Sequence, residues 1–217
     1  MNYYKSADYI IKNDIVRKNG RIYDDNIYSF DIETTSIFLS AKNDIIDFDY
    51  SKKPEYYADF DKIGFMYIWQ FSINSDVYYG RTVPELIEFL TALKKNIIGT
   101  KIVYVHNLGF EFQFLRNIID DFDVFARQPR HPIVARTKQF GIEFRCSLML
   151  TNSKLENLPK MYSLPIEKMV GDLDYSIRRT SDTILSDKQL TYCEHDCLVI
   201  YELIKKFKTQ YNHVVNI

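Results

Sequence analysis

Apolar positions along the chain recur with two periods, one of strands and one of helices. Ile27 to Ile32 predicts a short buried strand that ends in the polar run Glu33-Thr34-Thr35. Residues 39–62 are acidic, Tyr-rich and without clear period, and read as a surface insertion. Phe65–Ile73 and Val77–Tyr79 predict a hairpin turning at Asn74-Ser75. Pro84 to Leu93 predicts a helix, with Pro in the first turn and Leu86, Phe89, Leu90 and Leu93 in one stripe. Ile102–Val105 is a strand. Gly109–Ile119 is a helix with Phe110, Phe114, Leu115 and Ile118 at helical spacing, and Ile133–Ala135 with Ile142–Phe144 form a second strand pair. Ser186 and Gln189 make a capping box. The helix it opens carries Leu190, Cys193, Cys197, Ile200, Tyr201, Ile204 and Phe207 and runs to about Tyr211. Residues 1–25 are polar and read as an N-terminal extension, with one domain over 26–217; no internal repeat or low-complexity linker divides it. Strands and helices in this order suit an α/β fold, a mixed central sheet with helices on its faces.

Composition narrows the function classes. Hydrophobic residues make up 46% of 217, enough for a sizeable core. A net charge of -1 argues against a protein that coats nucleic acid with positive charge, and leaves binding in a local groove open. Most of the 17 Tyr and 15 Phe are expected in the core, although aromatics also stack on unpaired bases. Cys146, Cys193 and Cys197 contain no CxxC pair, so a reduced, cytoplasmic chain is expected. No signal peptide and no membrane-spanning apolar run is seen.

Three acidic segments stand out from this background. Asp31-Ile32-Glu33 is weak by itself, because about four acid-x-acid pairs arise by chance in such a composition. Its context is stronger: a strand puts residues two apart on one face, so both acids stand together at the strand's carboxyl end. Like charges that close are costly unless a cation neutralises them. In His106-Asn107-Leu108-Gly109-Phe110-Glu111, a strand runs into a polar turn and a helix with an acid in its first turn. The helix dipole favours such an acid, and Asn107 at that point also suits a simple cap. Tyr192 and Asp196, four apart, share the face of a helix that is apolar on the same side. Alone, that pair is more often a solvated edge.

Together these segments resemble the Exo I, Exo II and Exo III motifs of the DEDD exonuclease superfamily, and most of all those of protein-primed family B DNA polymerases. Asp-x-Glu-Thr-Thr stands at Asp31 to Thr35, His-Asn-Leu-x-Phe-acid at His106 to Glu111, and Tyr-x-x-x-Asp at Tyr192 to Asp196. Cys146-Ser147-Leu148 resembles the Ser-Leu motif that contacts single-stranded DNA. Lys154 to Pro165 is similar to the helix that follows it, and Gly171-Asp172-Leu173-Asp174-Tyr175 to the segment before Exo III. The resemblance covers about residues 26–210 and stops where such polymerases continue into a polymerase domain, absent from this chain. Two positions depart from the pattern. The Exo II acid is usually Asp and is Glu111 here. Val170 stands where the family has Lys, which leaves Lys168, two residues earlier, as a candidate substitute.

The resemblance implies a ribonuclease H-like fold and metal-dependent 3′→5′ removal of nucleotides from single-stranded or frayed DNA ends, as in proofreading. It implies two Mg²⁺ or Mn²⁺ ions ~3.5–4 Å apart, with Asp31 bridging, Glu33 and Asp196 completing the shell, and Glu111 reaching the second ion. Tyr192 would orient the attacking water rather than deprotonate it, since a free Tyr has a pKa of about 10. Thr34, Asn107, Phe110, Ser147, Leu148 and Tyr175 would hold the 3′-terminal nucleotides. The implied partners are DNA 3′ ends, a polymerase domain and a priming terminal protein, in a virus- or plasmid-encoded protein acting in the host cell. Two rival readings are a DEDD exoribonuclease, since 2′-OH contacts leave no mark in a sequence, and an inactive exonuclease fold used for protein docking.

Overall fold

The structure, a computed structural model, describes residues 2–3, 13–46, 49, 51–167, 169, 173 and 177–217. Its strands are β1 (Asn2–Tyr3), β2 (Ile15–Lys18), β3 (Arg21–Leu39), β4 (Ile45–Ile46), β5 (Asp61–Ile73), β6 (Asp76–Gly80), β7 (Thr100–Val105), β8 (Phe122–Gln128), β9 (His131–Thr137) and β10 (Ile142–Cys146). The helices are α1 (Val83–Asn96), α2 (Leu108–Leu115), α3 (Leu148–Thr151), α4 (Leu158–Tyr162) and α5 (Asp187–Tyr211). Among the described residues the strands form one sheet in the order β1-β6-β5-β3-β7-β10-β9-β8, with β2 and β4 also paired to β3. β3, β7 and β10 run parallel, while β5 lies antiparallel to β3 and β9 to β10. This is the mixed sheet with flanking helices that the sequence predicts.

The period-2 alternation decides which face each side chain joins. Phe30 and Ile32 of β3, Trp69 and Phe71 of β5, and Val103 and Val105 of β7 pack under α1 and α2. Ile27 of β3 and Ile102 and Tyr104 of β7 point the other way, against Val199, Ile200, Leu203 and Ile204 of α5. α1 presents the stripe read from the sequence, with Leu86, Phe89, Leu90 and Leu93 all buried, whereas of the stripe predicted for α2 only Leu115 is buried within the helix and Phe110 is exposed. Ser186 and Gln189 form the expected capping box at the start of α5. α1 has a second one, Thr82 with Glu85. At its far end α5 is tied to β3, where Lys208 Nζ and the Val214 amide donate to the buried Asp25 carboxylate at 2.9 and 2.7 Å. The β5–β6 turn falls at Asn74, whose φ of 53° is one Asn tolerates.

Several elements differ from expectation. The strand predicted over Ile27–Ile32 runs from Arg21 to Leu39, because its ends pair with β2 and with β4 and β5 where the hydrophobic signal fades. β2 and the start of β3 therefore form a strand pair inside the stretch read as an extension. In the Tyr-rich insertion, Tyr57 is buried and stacks on Phe38 of β3 with ring centroids 4.3 Å apart, so this segment packs against the sheet. α2 stops at Leu115 and continues only as turns to Ile119. The helix expected over Lys154–Pro165 is a 3-10 turn at Leu155–Asn157 followed by the five residues of α4. Pro159 sits in the first turn of α4, where its missing N–H costs nothing, and Ser163 at φ 48° ends it. β8 was not foreseen: as an exposed edge strand it has no buried face and so no alternation to read.

Candidate metal and nucleic-acid site

β3 supplies the first two acids. Asp31 and Glu33 share the sheet face that α5 covers, with Asp31 opposite Gln70 and Glu33 opposite Ile68 on β5. Beyond Glu33 the register slips. Thr34 pairs with Met66, so Tyr67 is the extra residue of a bulge, and Arg81 Nε holds its carbonyl at 2.8 Å. A bulge bends and twists its strand locally, a common device beside functional sites. The sequence places the acids at the end of a strand; the structure places them inside a longer one, next to this irregularity.

α5 brings the third acid. Ser29 Oγ donates to the Cys197 carbonyl at 3.0 Å and lies 2.7 Å from Ser72 Oγ, which seats the helix on β3 and β5. Asp196 thereby meets Asp31 and Glu33: one carboxylate oxygen from each lies within 4.8 Å of the others. Tyr192, one turn earlier, is buried like Asp196, so neither is the solvated edge that the isolated motif would suggest.

The fourth acid approaches from β7. After Val105, Asn107 adopts a left-handed conformation (φ 67°) and makes no side-chain cap bond, so capping is not what it does here. The turn points α2 so that Glu111 lines the same cleft of about 240 Å³ as Asp31, Glu33, Tyr192 and Asp196. Glu111 stands outside the close group of three. It also lines an adjacent apolar cavity of about 190 Å³ with Phe30, Ile32 and Phe114. Its Oε2 is buried without a hydrogen-bond partner among the described residues. Burial, and after it the nearby Glu33 charge, pushes the Glu111 carboxyl up to about 8.

The residues expected to hold nucleic acid divide. Thr34 and Phe110 line the cleft, and Phe110 is 43% exposed, so its ring face is available. Asn107 is exposed at the turn beside the cleft. Ser147, expected to contact DNA, is wholly buried and stands behind the cleft lining. Its Oγ lies 3.1 Å from His106 Nδ1 and 3.3 Å from the Val105 carbonyl, so it holds His106 at the cleft wall. Leu148 is half-buried and packs against the large core cluster. Lys168, Tyr175 and the rest of the Gly171–Tyr175 motif other than Leu173 lie outside the described residues. His106 and Leu155 line the cleft without having been assigned a place in it. His106 was legible, as the first residue of its motif.

A larger cleft of about 810 Å³ lies elsewhere, lined by Arg21, Lys94, Asp121 and Glu143 among others. Its acids are already engaged. Asp121 accepts from Thr137 Oγ1 and the Lys138 and Gln139 amides, and Glu143 pairs with Arg136 and Arg145. Donor chemistry, rather than volume, singles out the carboxylate cleft.

No protein-family model and no curated protein sequence matches the chain. Solved structures do. "Phi29 DNA polymerase complexed with single-stranded DNA" is similar with a TM-score of 0.60 at 16% identity, over 87% of this chain and 32% of that one. The same polymerase with primer-template DNA and incoming nucleotide substrates is similar to the same degree, with a TM-score of 0.60 at 16% identity over 87% and 32%. Its orthorhombic crystal form has a TM-score of 0.59 at 14% identity, again over 87% and 32%. The likeness is one of fold, and the chain spans about a third of the polymerase's length, 32%. Among the described residues no helix is long and apolar enough to cross a membrane.

Proposed function

We propose that the chain is a divalent-metal-dependent 3′→5′ exonuclease domain, acting on single-stranded or frayed DNA ends as the proofreading part of a protein-primed DNA polymerase. The observation that carries this reading is the convergence of Asp31, Glu33 and Asp196 within 4.8 Å, with Glu111 and Tyr192 on the same cleft. The donor set fits hard cations: it is all carboxylate oxygen, and no Cys lines the cleft. The orphaned Glu111 Oε2 adds a buried oxygen suited to a further ligand.

Asp31, Glu33 and Asp196 would hold Mg²⁺ or Mn²⁺, and Glu111 would reach the second ion. When bound, the pair of ions supplies an activated water and stabilises charge on the leaving oxygen. The chain's own residues do the rest. Tyr192 offers a phenolic hydroxyl to orient the attacking water. Phe110 offers a ring face on which an unpaired base stacks without regard to its identity. Such a site favours a mismatched end, because that end is already partly unpaired. The priming terminal protein, the polymerase domain and action in the cytoplasm of a host cell belong to this proposal.

The test uses 5′-labelled single-stranded DNA and RNA of one sequence, with Mn²⁺ or Mg²⁺. Stepwise shortening of the DNA from its 3′ end is expected, abolished by Asp31→Ala and by Asp196→Ala. Faster shortening of the RNA would make the chain an exoribonuclease. Cutting of circular single strands, or metal-dependent cleavage of neither substrate, would overturn the proposal.

A further inference from the structure

Gln70 lies in the middle of β5 and is wholly buried. Neither Nε2 nor Oε1 has a hydrogen-bond partner among the described residues. Buried amides are almost always bonded, and one left unsatisfied costs about 1–3 kcal/mol. A Met or Leu would fill the same space without that cost, so the amide calls for a role.

Its neighbours suggest one. Gln70 faces Asp31 directly across the antiparallel ladder, so the two side chains share one face, with Cβ atoms about 4.5–5.5 Å apart. Over it lies Cys193 of α5, one turn before Asp196, whose thiol interacts with the Gln70 side chain. Burial, followed by the Glu33 charge, pushes that thiol up, so it stays a neutral and weak donor. The amide thus sits between an acceptor-only carboxylate and the Cys193 sulfur.

We propose that Gln70 is a positioning residue: when a cation binds, its Nε2–H donates to one carboxylate oxygen of Asp31, which holds the other Asp31 oxygen toward the cation. This rests on the metal-site reading above. Donors behind a metal-binding carboxylate hold its orientation, and their loss commonly weakens metal binding by about 10–100-fold.

The test is Gln70→Met, close in shape and unable to donate. Free Mn²⁺ is measured by paramagnetic resonance in titrations of wild type and variant, beside thermal melts in chelator. Mn²⁺ binding weaker by about 10–100-fold is expected, with a chelated melt at or above that of wild type. Mn²⁺ affinity equal to wild type would overturn the inference even if the melt fell, since a purely structural Gln would change only stability. That result leaves the metal site standing. Wild type without Asp31-dependent Mn²⁺ binding would instead remove the metal site and this inference with it. Should Gln70→Met not fold, the wild-type protein serves: in ¹⁵N-labelled material the Gln70 side-chain amide protons should move downfield on adding Mg²⁺. An unmoved signal while Mg²⁺ binds would overturn the proposal.

Discussion

A carboxylate carried into an apolar pocket during folding must be neutralised, by a proton or by a cation. Glu111 is in that position, between the carboxylate cleft and the cavity lined by Phe30, Ile32 and Phe114. Burial and then Glu33 raise its pKa from the ordinary 4.5 to about 8. The folded state therefore binds more protons than the unfolded chain between those values. This group's contribution is complete below about 4.5 and is lost as pH rises to about 8. The size of the shift makes it on the order of a few kcal/mol. In chelator, the wild-type melting temperature should fall from pH 5 to pH 8, and Glu111→Gln should flatten that slope. An unchanged slope would mean that Glu111 is solvated. The same variant should lose most of its nuclease activity while staying folded, because Gln keeps the shape and gives up the charge. Full activity would remove Glu111 from the metal-binding set.

Among the elements, β5 bears most on the site, since it carries Gln70, the Tyr67 bulge and the partner positions of Asp31 and Glu33. Its placement depends on Trp69, wholly buried, whose Nε1 donates to the Thr82 carbonyl at 3.0 Å. Trp69 pairs with Gly80 on β6, where a Cβ would come within 2.4 Å of the indole ring. The ring cannot retreat without giving up the Thr82 bond. Gly80→Ala is expected to cost about 1–3 kcal/mol or more through overpacking, read by urea unfolding. Because Trp69 adjoins Gln70, Mn²⁺ affinity should fall as well. A variant as stable as wild type would show that β5 and β6 have room to shift.

At the scale of the whole molecule, the site exists only when α5 lies across β3 and β5. Folding thus brings three acids together at a repulsive cost, and a cation reverses its sign. Mn²⁺ at about 100 times its dissociation constant should stabilise the fold by about 2.7 kcal/mol. For a chain of this size that is several degrees, at about 2–4 °C per kcal/mol. Asp31→Ala combined with Asp196→Ala should lose this shift, and in chelator should melt no lower than wild type because the repulsion is gone. An equal Mn²⁺ shift in the double variant would place the ion elsewhere.

Local features of the chain were enough to determine α1, α5, the β5–β6 hairpin and the pairing of Asp31 with Glu33. A helical stripe with a capping box, or two acids separated by one residue on a strand, has its consequences within a few residues of itself. The three motifs, in order, also carried the fold class. Other features depended on packing between distant segments. β8 has no buried face and left no pattern. A first-turn acid looks solvated until packing buries it, as at Glu111. Ser147 resembles a surface contact until β10 delivers it beneath His106. Gln70 is one of several polar residues in its strand, and only the ladder register sets it opposite Asp31. The meeting of Asp196 with Asp31 and Glu33 is likewise tertiary, because spacing along a chain orders residues on one element and cannot bring two elements together.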